Sequence, residues 1–237
     1  MKKPNTHTKE YSKEMERWKH EDVLQLANHF HRLKENQFER SNEFAMQDDD
    51  VALFETVKEH IKTMKIYLAL DAKEKEKFTF FPILYIDDHD GNKYHFKMYD
   101  KASESSHGEA EFVPEIFKNM IAKNWSEIDF HLIDDLFTAR QKKENAPEVT
   151  VRVEHYKICD EIIVVLQKLP TINGITFYSG IDMNKFSDKY QISFTPVLGF
   201  KHDQATSENF TLGFQSVLEF SKGEVFVEYT SPCPPTC

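Results

Sequence analysis

One pattern constrains this 237-residue chain more than any other: a pair of apolar strands that occurs twice. The later copy runs from Ile175 to Asp182 (Ile-Thr-Phe-Tyr-Ser-Gly-Ile-Asp) and resumes from Tyr190 to Phe200, with Pro196 inside it. The earlier runs from Met64 to Asp71 (Met-Lys-Ile-Tyr-Leu-Ala-Leu-Asp) and resumes from Phe78 to Ile86, with Pro82 inside it. Each copy has a strand with a central tyrosine, closes on an aspartate, crosses a charged connector and enters a second strand carrying a proline. A proline removes a ladder donor, so each second strand is expected at an edge or a bulge.

The match extends along the chain with a slowly growing offset. Trp18 and Trp125 lie 107 residues apart, and the Lys-Glu-Asn triplets at 34–36 and 143–145 lie 109 apart. Tyr67 and Tyr178, like Asp71 and Asp182, are 111 apart, and Pro82 and Pro196 are 114 apart. Duplication with small loop insertions produces such a drift, whereas chance matches scatter. Two related units are therefore expected, 1–106 and 107–237, with the boundary in the linker-like segment 101–110. The expected fold class is α+β, each unit packing helices on one face of a mostly antiparallel sheet.

Helical spacing of Val23, Leu26, Ala27, Phe30 and Leu33 predicts a helix from Ser12 to about Asn36. Residues 37–47 read as an extended connection. Asp48-Asp49-Asp50 suits a helix N-terminus, where carboxylates meet the positive end of the dipole, and Val51, Phe54, Val57 and Ile61 share the face that follows. Asp-Gly within residues 87–92 predicts a hairpin leading into a strand from Lys93 to Tyr99. A short helix near 112–123 is expected next, then one capped near Ser126 and Asp129 that buries Leu132, Ile133, Leu136 and Phe137. A half-buried strand over Val149–Tyr156 and a helix over Asp160–Lys168 precede the second strand pair. A strand near Phe210–Phe220, a turn at Lys222-Gly223 and a strand over Val225–Tyr229 complete the chain.

Composition narrows the function classes. The formal charge is −10, with 30 basic and 40 acidic residues. No basic stretch stands out, so nucleic acid and an anionic membrane surface are poor electrostatic partners. No apolar run approaches the ~20 residues a membrane helix needs, and no secretory leader is visible. A cytoplasmic location is the default expectation. Seven glycines argue against glycine-rich phosphate loops, and no Walker loop, GxSxG elbow, HExxH or GxGxxG occurs.

The second copy and the C-terminal Cys233-Pro-Pro-Thr-Cys237 together resemble a family of small bacterial proteins of uncharacterised function. Those carry a strand of the form Arg-Ile-Tyr-x-Gly-Leu-Asp, a second apolar strand and a Cys-Pro-Pro-x-Cys tail. The resemblance covers residues 125–237, with 18–100 as a divergent copy. Thr176 and Ala69 depart from the family strand. The resemblance implies a fold and a unit length, and no chemistry.

Cys233 and Cys237 are the one candidate site. Two thiols so spaced can form an ordered structural tail, close a reversible disulfide, supply two soft metal ligands or act chemically; a closed zinc site needs four ligands. The third cysteine, Cys159, stands alone, so no disulfide framework follows. The acid-rich segment 87–92 reads as a solvated turn, and Tyr67, Tyr178, Asp71 and Asp182 as packing and turn residues. An ADP-ribosyltransferase-like order can be drawn through Tyr178-Ser-Gly180, Glu224 and Glu228. Ser179 stands where that family has arginine, and the two glutamates fall ~13 Å apart along a strand. No catalytic residue, cofactor or metal is expected. The leading expectation is a non-enzymatic binding or interaction protein, with a protein partner or a second copy of itself. The alternative is a small-molecule-binding enzyme with its site between the two units.

Overall fold

The computed structural model describes residues 11–34, 37–72, 77–101, 115–129, 133, 136–141, 147, 149–182, 193–202, 206–212, 216–220, 223–227 and 230–233. Helices α1 (Ser12–His20), α2 (Asp48–Val57), α3 (Glu115–Glu127) and α4 (Asp160–Lys168) accompany seventeen strands. The first six are β1 (His31–Lys34), β2 (Gln37–Arg40), β3 (Glu43–Met46), β4 (Ile61–Leu70), β5 (Phe80–Asp88) and β6 (Lys93–Asp100). Next come β7 (Thr138–Gln141), β8 (Val149–Arg152), β9 (His155–Ile158), β10 (Ile172–Tyr178), β11 (Ile181–Asp182) and β12 (Ser193–Phe194). The last are β13 (Val197–His202), β14 (Thr206–Leu212), β15 (Ser216–Phe220), β16 (Gly223–Val227) and β17 (Thr230–Cys233). The fold is α+β.

Nine strands form one antiparallel sheet in the order β16-β13-β10-β3-β6-β5-β4-β9-β17. Strands from before residue 106 form one block, β3-β6-β5-β4, flanked on both sides by strands from after it: β3 pairs with β10, and β4 with β9. The terminal strands of that order, β16 and β17, are only two residues apart in sequence. Three Cα steps reach ~11 Å at most, so the sheet curls until its ends are joined through the chain. β6 is the opposite hinge. Its residues Lys93–Lys97 pair with β5, and Met98–Asp100 pair with β3.

Alternation along each strand separates two faces. Met64, Ile66, Leu68 and Leu70 of β4 enter one large core with Phe44, Phe96, Phe177 and Phe200. α2 and α4 pack there too: Phe54 lies 6.3 Å from Phe96 and 6.2 Å from Phe200, ring centre to ring centre. The opposite face carries two smaller clusters. α1 brings Tyr11 and Met15 onto Ala69, Phe81 and Ile83, and α3 brings Ile121 onto Tyr178, Val197 and Phe226.

Contacts between the halves are reciprocal. The Trp18 indole donates to the Val153 carbonyl at 2.8 Å, and the Trp125 indole donates to the Ser41 carbonyl at 2.9 Å. Arg152 lies over the Trp18 ring and donates to the Trp18 carbonyl; Arg40 lies over Trp125 and donates to its carbonyl. Phe30 and Phe137 stack on each other at 5.3 Å with parallel planes. Trp18 meets Phe137 edge-on at 5.0 Å, and Trp125 meets Phe30 at 5.2 Å. Phe30–Phe80 and Phe137–Phe194 complete the set at 4.4 and 4.7 Å. The ends of α2 and α4 are cross-tied in the same manner. Ile172 N–H donates to Glu55, and Gln167 donates to the Ile61 carbonyl.

Several expected elements differ. The helix expected over 12–36 ends at His20, because Glu21 is extended and Asp22 accepts from Leu24 N–H to start a 3₁₀ turn over Val23–His29. Val23 and Leu24 are exposed while Leu26, Ala27 and Phe30 are buried. Helical spacing thus marked burial at Leu26, Ala27 and Phe30 but not at Val23, and without a continuous helix. The extended connection 37–47 contains two short strands, β2 and β3. Trp125 sits in the last turn of α3, and Ser126 donates to the Lys123 carbonyl instead of capping a new helix. Ile133, Leu136 and Phe137 are buried, and the chain then enters β7, which pairs with β8. The strand over 149–156 breaks at Val153 and Glu154, whose carbonyls serve Trp18 and Leu68 N–H. The strand near 210–220 is a hairpin of β14 and β15. Pro82 pairs with Leu68 beyond the end of the β5–β6 ladder, where its missing donor costs no bond. Pro196 separates β12 from β13. Residues 102–114, which hold the expected linker, lie outside the described residues, as does Lys222.

Candidate functional site

Among the described residues, the tyrosine and aspartate candidates do not assemble. Tyr67 and Tyr178 belong to separate clusters beneath α1 and α3, with the aromatic core between the sheet walls. Asp71 pairs with Lys97 at 2.8 Å, and Asp182 has only its backbone described, opposite Ser193. The backbone of Cys233 ends β17 opposite His155, while its side chain, Cys237 and Glu228 lie outside the described residues. Ser179 is fully buried. The acid-rich turn is organised by Asp88, which accepts from the N–H groups of Asp90 and Asn92 and from the Asn92 and Tyr94 side chains. Gly91 takes the positive φ of 81° that the turn requires. Among the described residues no three His, Cys, Asp or Glu side chains are grouped to hold a metal.

A different cluster emerges on the outer face of β4, β5, β6 and β9, beside the part covered by α1. Register dictates it. Lys65 is opposite Tyr85 on β5 and Lys157 on β9; Tyr67 is opposite Ile83 and His155; Tyr85 is opposite His95 on β6. Direct cross-strand partners share a face, so four rings meet in one strip. Tyr67 lies 4.7 Å from His155 and 5.5 Å from Tyr85, and Tyr85 lies 4.8 Å from His95. Lys65 reaches to 6.0 Å from the Tyr67 ring. Tyr67, His95, His155 and Lys65 are half-buried, and Tyr85 is buried.

The polar groups of this strip divide sharply. Asp87 is engaged, accepting from the Tyr85 hydroxyl at 2.7 Å and the Thr63 hydroxyl at 3.1 Å. Glu154 pairs with Lys19 at 3.0 Å. Lys65 makes no ion pair among the described residues, and the Tyr67 hydroxyl and the buried His155 Nδ1 have no hydrogen-bond partner among them. Burial, with the nearby Asp87 and Glu154 charges, raises the Tyr67 phenol above its ordinary range. Burial, followed by the Lys65 ammonium, holds the His155 imidazole down to about 4 against the pull of Glu154. His155 is therefore neutral at physiological pH, with both a donor and an acceptor nitrogen.

Sequence reading passed over this strip because its members come from four strands. Alternation along β4 placed Lys65 and Tyr67 on one face, but only the ladder brings His155 beside them. In the second strand pair the same register brings together Thr176, Tyr178, Gly199, Glu43 and Phe226. That set has none of the imidazoles. No known protein family, curated protein or solved structure matches the chain.

Proposed function

We propose that the protein is a binding module and that the outer strip of Lys65, Tyr67, Tyr85, His95 and His155 is its ligand face. The observation that carries this reading is the asymmetry between two otherwise corresponding faces. Four rings, two of them imidazoles, and three unpartnered polar groups stand mostly half-open on one, whereas on the other the only two rings, Tyr178 and Phe226, are buried against Ile121 of α3. Half-exposed rings with free donors offer stacking and hydrogen bonding together, as ligand sites do. The alternative, an enzyme with its site between the halves, needs a groove there. Trp18, Phe30, Phe80, Trp125, Phe137 and Phe194 fill that space and leave less than 3% of any of these side chains exposed. The acid-rich charge balance speaks for a small molecule or a protein over nucleic acid.

Amide and imidazole NMR spectra of the full chain, titrated with a panel of small ring-containing molecules, test the reading. Shifts are expected at Lys65, Tyr67, Tyr85, His95 and His155. Perturbations confined to the core or to the opposite face would remove the proposal.

We further propose that the two halves derive from one strand–helix–three-strand unit. Support comes from the drifting sequence offsets and from the reciprocal Trp, Arg and Phe contacts. A circular permutant running 107–237 and then 1–106 through a flexible linker should fold with the parent's near-ultraviolet spectrum. A permutant without fixed tertiary structure would count against equivalence of the halves.

A further inference from the structure

Four acids surround the ring strip, and each is already engaged. Asp87 holds Tyr85 and Thr63, Glu154 holds Lys19, Asp71 holds Lys97, and Asp160 stands 3.8 Å from Lys157. The groups left over are the Lys65 ammonium, the Tyr67 hydroxyl and the His155 ring. Lysine has only donors, a phenol above its ordinary pKa keeps its proton, and a neutral imidazole has one N–H to give. The remaining hydrogen-bonding capacity is thus dominated by donors and carries one uncompensated positive charge. Around it lie ring faces and edges at stacking distances. Beside Tyr178, Glu43 puts a carboxylate where His155 stands beside Tyr67, and Lys101 lies 4.0 Å from it.

We infer that the ligand of this face is a planar aromatic anion, a ring bearing a carboxylate or a group of similar charge. This rests on the binding reading above. Its ring lies against Tyr67 and His155, and its anionic group meets Lys65 with the Tyr67 hydroxyl. Lys97 is not available, being held by Asp71 and seated 3.7 Å over the Phe81 ring. A lysine–carboxylate pair at a half-buried site outweighs its exposed counterpart, because screening by water and salt is reduced.

The experiment compares naphthalene-2-carboxylate with naphthalene-2-carboxamide, which has the same shape and no charge, by NMR titration of the full chain at low and high salt. The carboxylate is expected to bind about tenfold more tightly at low salt, where an uncompensated ammonium is least screened. Lys65→Met should abolish that preference by weakening the carboxylate far more than the amide, and Tyr67→Leu should weaken both probes. Equal affinity of the two probes for the parent, or a preference that survives in Lys65→Met, overturns the anion assignment and leaves the binding face standing. If neither probe shifts the strip, both the anion assignment and the binding reading fail. Unchanged amide spectra away from position 65 establish that Lys65→Met is folded; if they change, the salt dependence of the parent's preference decides alone.

Discussion

At the scale of single residues, Asp88 is a heavily used polar side chain. It is 4% exposed and accepts four hydrogen bonds. Burial pushes its carboxyl up, but those bonds outweigh burial and hold it below the usual range. Asp88→Ala should cost about 3 kcal/mol in urea unfolding, since several donors lose a charged acceptor at once. Two histidines act in the same pH direction. His155 is held down to about 4. His31 is lowered by burial, and its Nε2 accepts from Arg40 while Nδ1 donates to the Ala27 carbonyl. Each is neutral in the fold, so the unfolded chain takes up a proton first as pH falls below ~6.5. Stability present above that pH is therefore lost on acidification, for His155 down to about 4. For Asp88, whose folded value lies below its unfolded one, the loss comes at still lower pH, as the carboxylate protonates. Urea midpoints measured from pH 7 to 4 should fall, and His155→Gln should flatten that limb; an unchanged slope would remove His155 from the account.

Elements are held in register by a few directional contacts. The two indole bonds are equivalent in geometry, so Trp18→Phe and Trp125→Phe should each cost about 1–3 kcal/mol, chiefly from a buried carbonyl left without its donor. Because both rings touch Phe30 and Phe137, the double variant should depart from additivity. Denaturant unfolding of the four proteins checks this. α3 is seated with equal precision at Gly180. A Cβ there would stand 2.7 Å from the Ile121 Cδ1 and 2.8 Å from the Thr195 carbonyl oxygen, and the carbonyl belongs to backbone that cannot move cheaply. Gly180→Ala should destabilise by about 1–3 kcal/mol through overpacking. Gly174→Ala meets only the flexible Lys201 side chain at 3.3 Å and should cost less. Reversal of that order in thermal melts would contradict the packing described.

For the whole molecule, the block of first-half strands set between two blocks of second-half strands in one sheet is the controlling fact. β3 has a partner from each half, β4 does as well, and each tryptophan donates across to the other half. Neither half can complete its ladder or satisfy its indole acceptor alone. Calorimetry should therefore show a single transition whose van't Hoff and calorimetric enthalpies agree. Two resolved transitions would mean that the halves fold separately.

Much of this fold was legible in the residues themselves. Alternation and turn chemistry place β4, β5, β6 and the Asp-Gly hairpin, and three aspartates mark the start of α2, because these signals act within a few residues. The α+β class follows from the same periodicities. Helical spacing of Leu26, Ala27 and Phe30 correctly marked burial but not conformation, since a capping aspartate and a distant aromatic cluster decide where the chain turns. The strip of Lys65, Tyr67, Tyr85, His95 and His155 was legible only at Tyr67, which read as a packing residue. Its members are up to 90 residues apart, and strand order and register, which depend on the whole set of interstrand hydrogen bonds, bring them together. Local patterning determined which residues face a core; only the assembled sheet decided which side chains share a surface, because that surface exists only once both halves have supplied its strands.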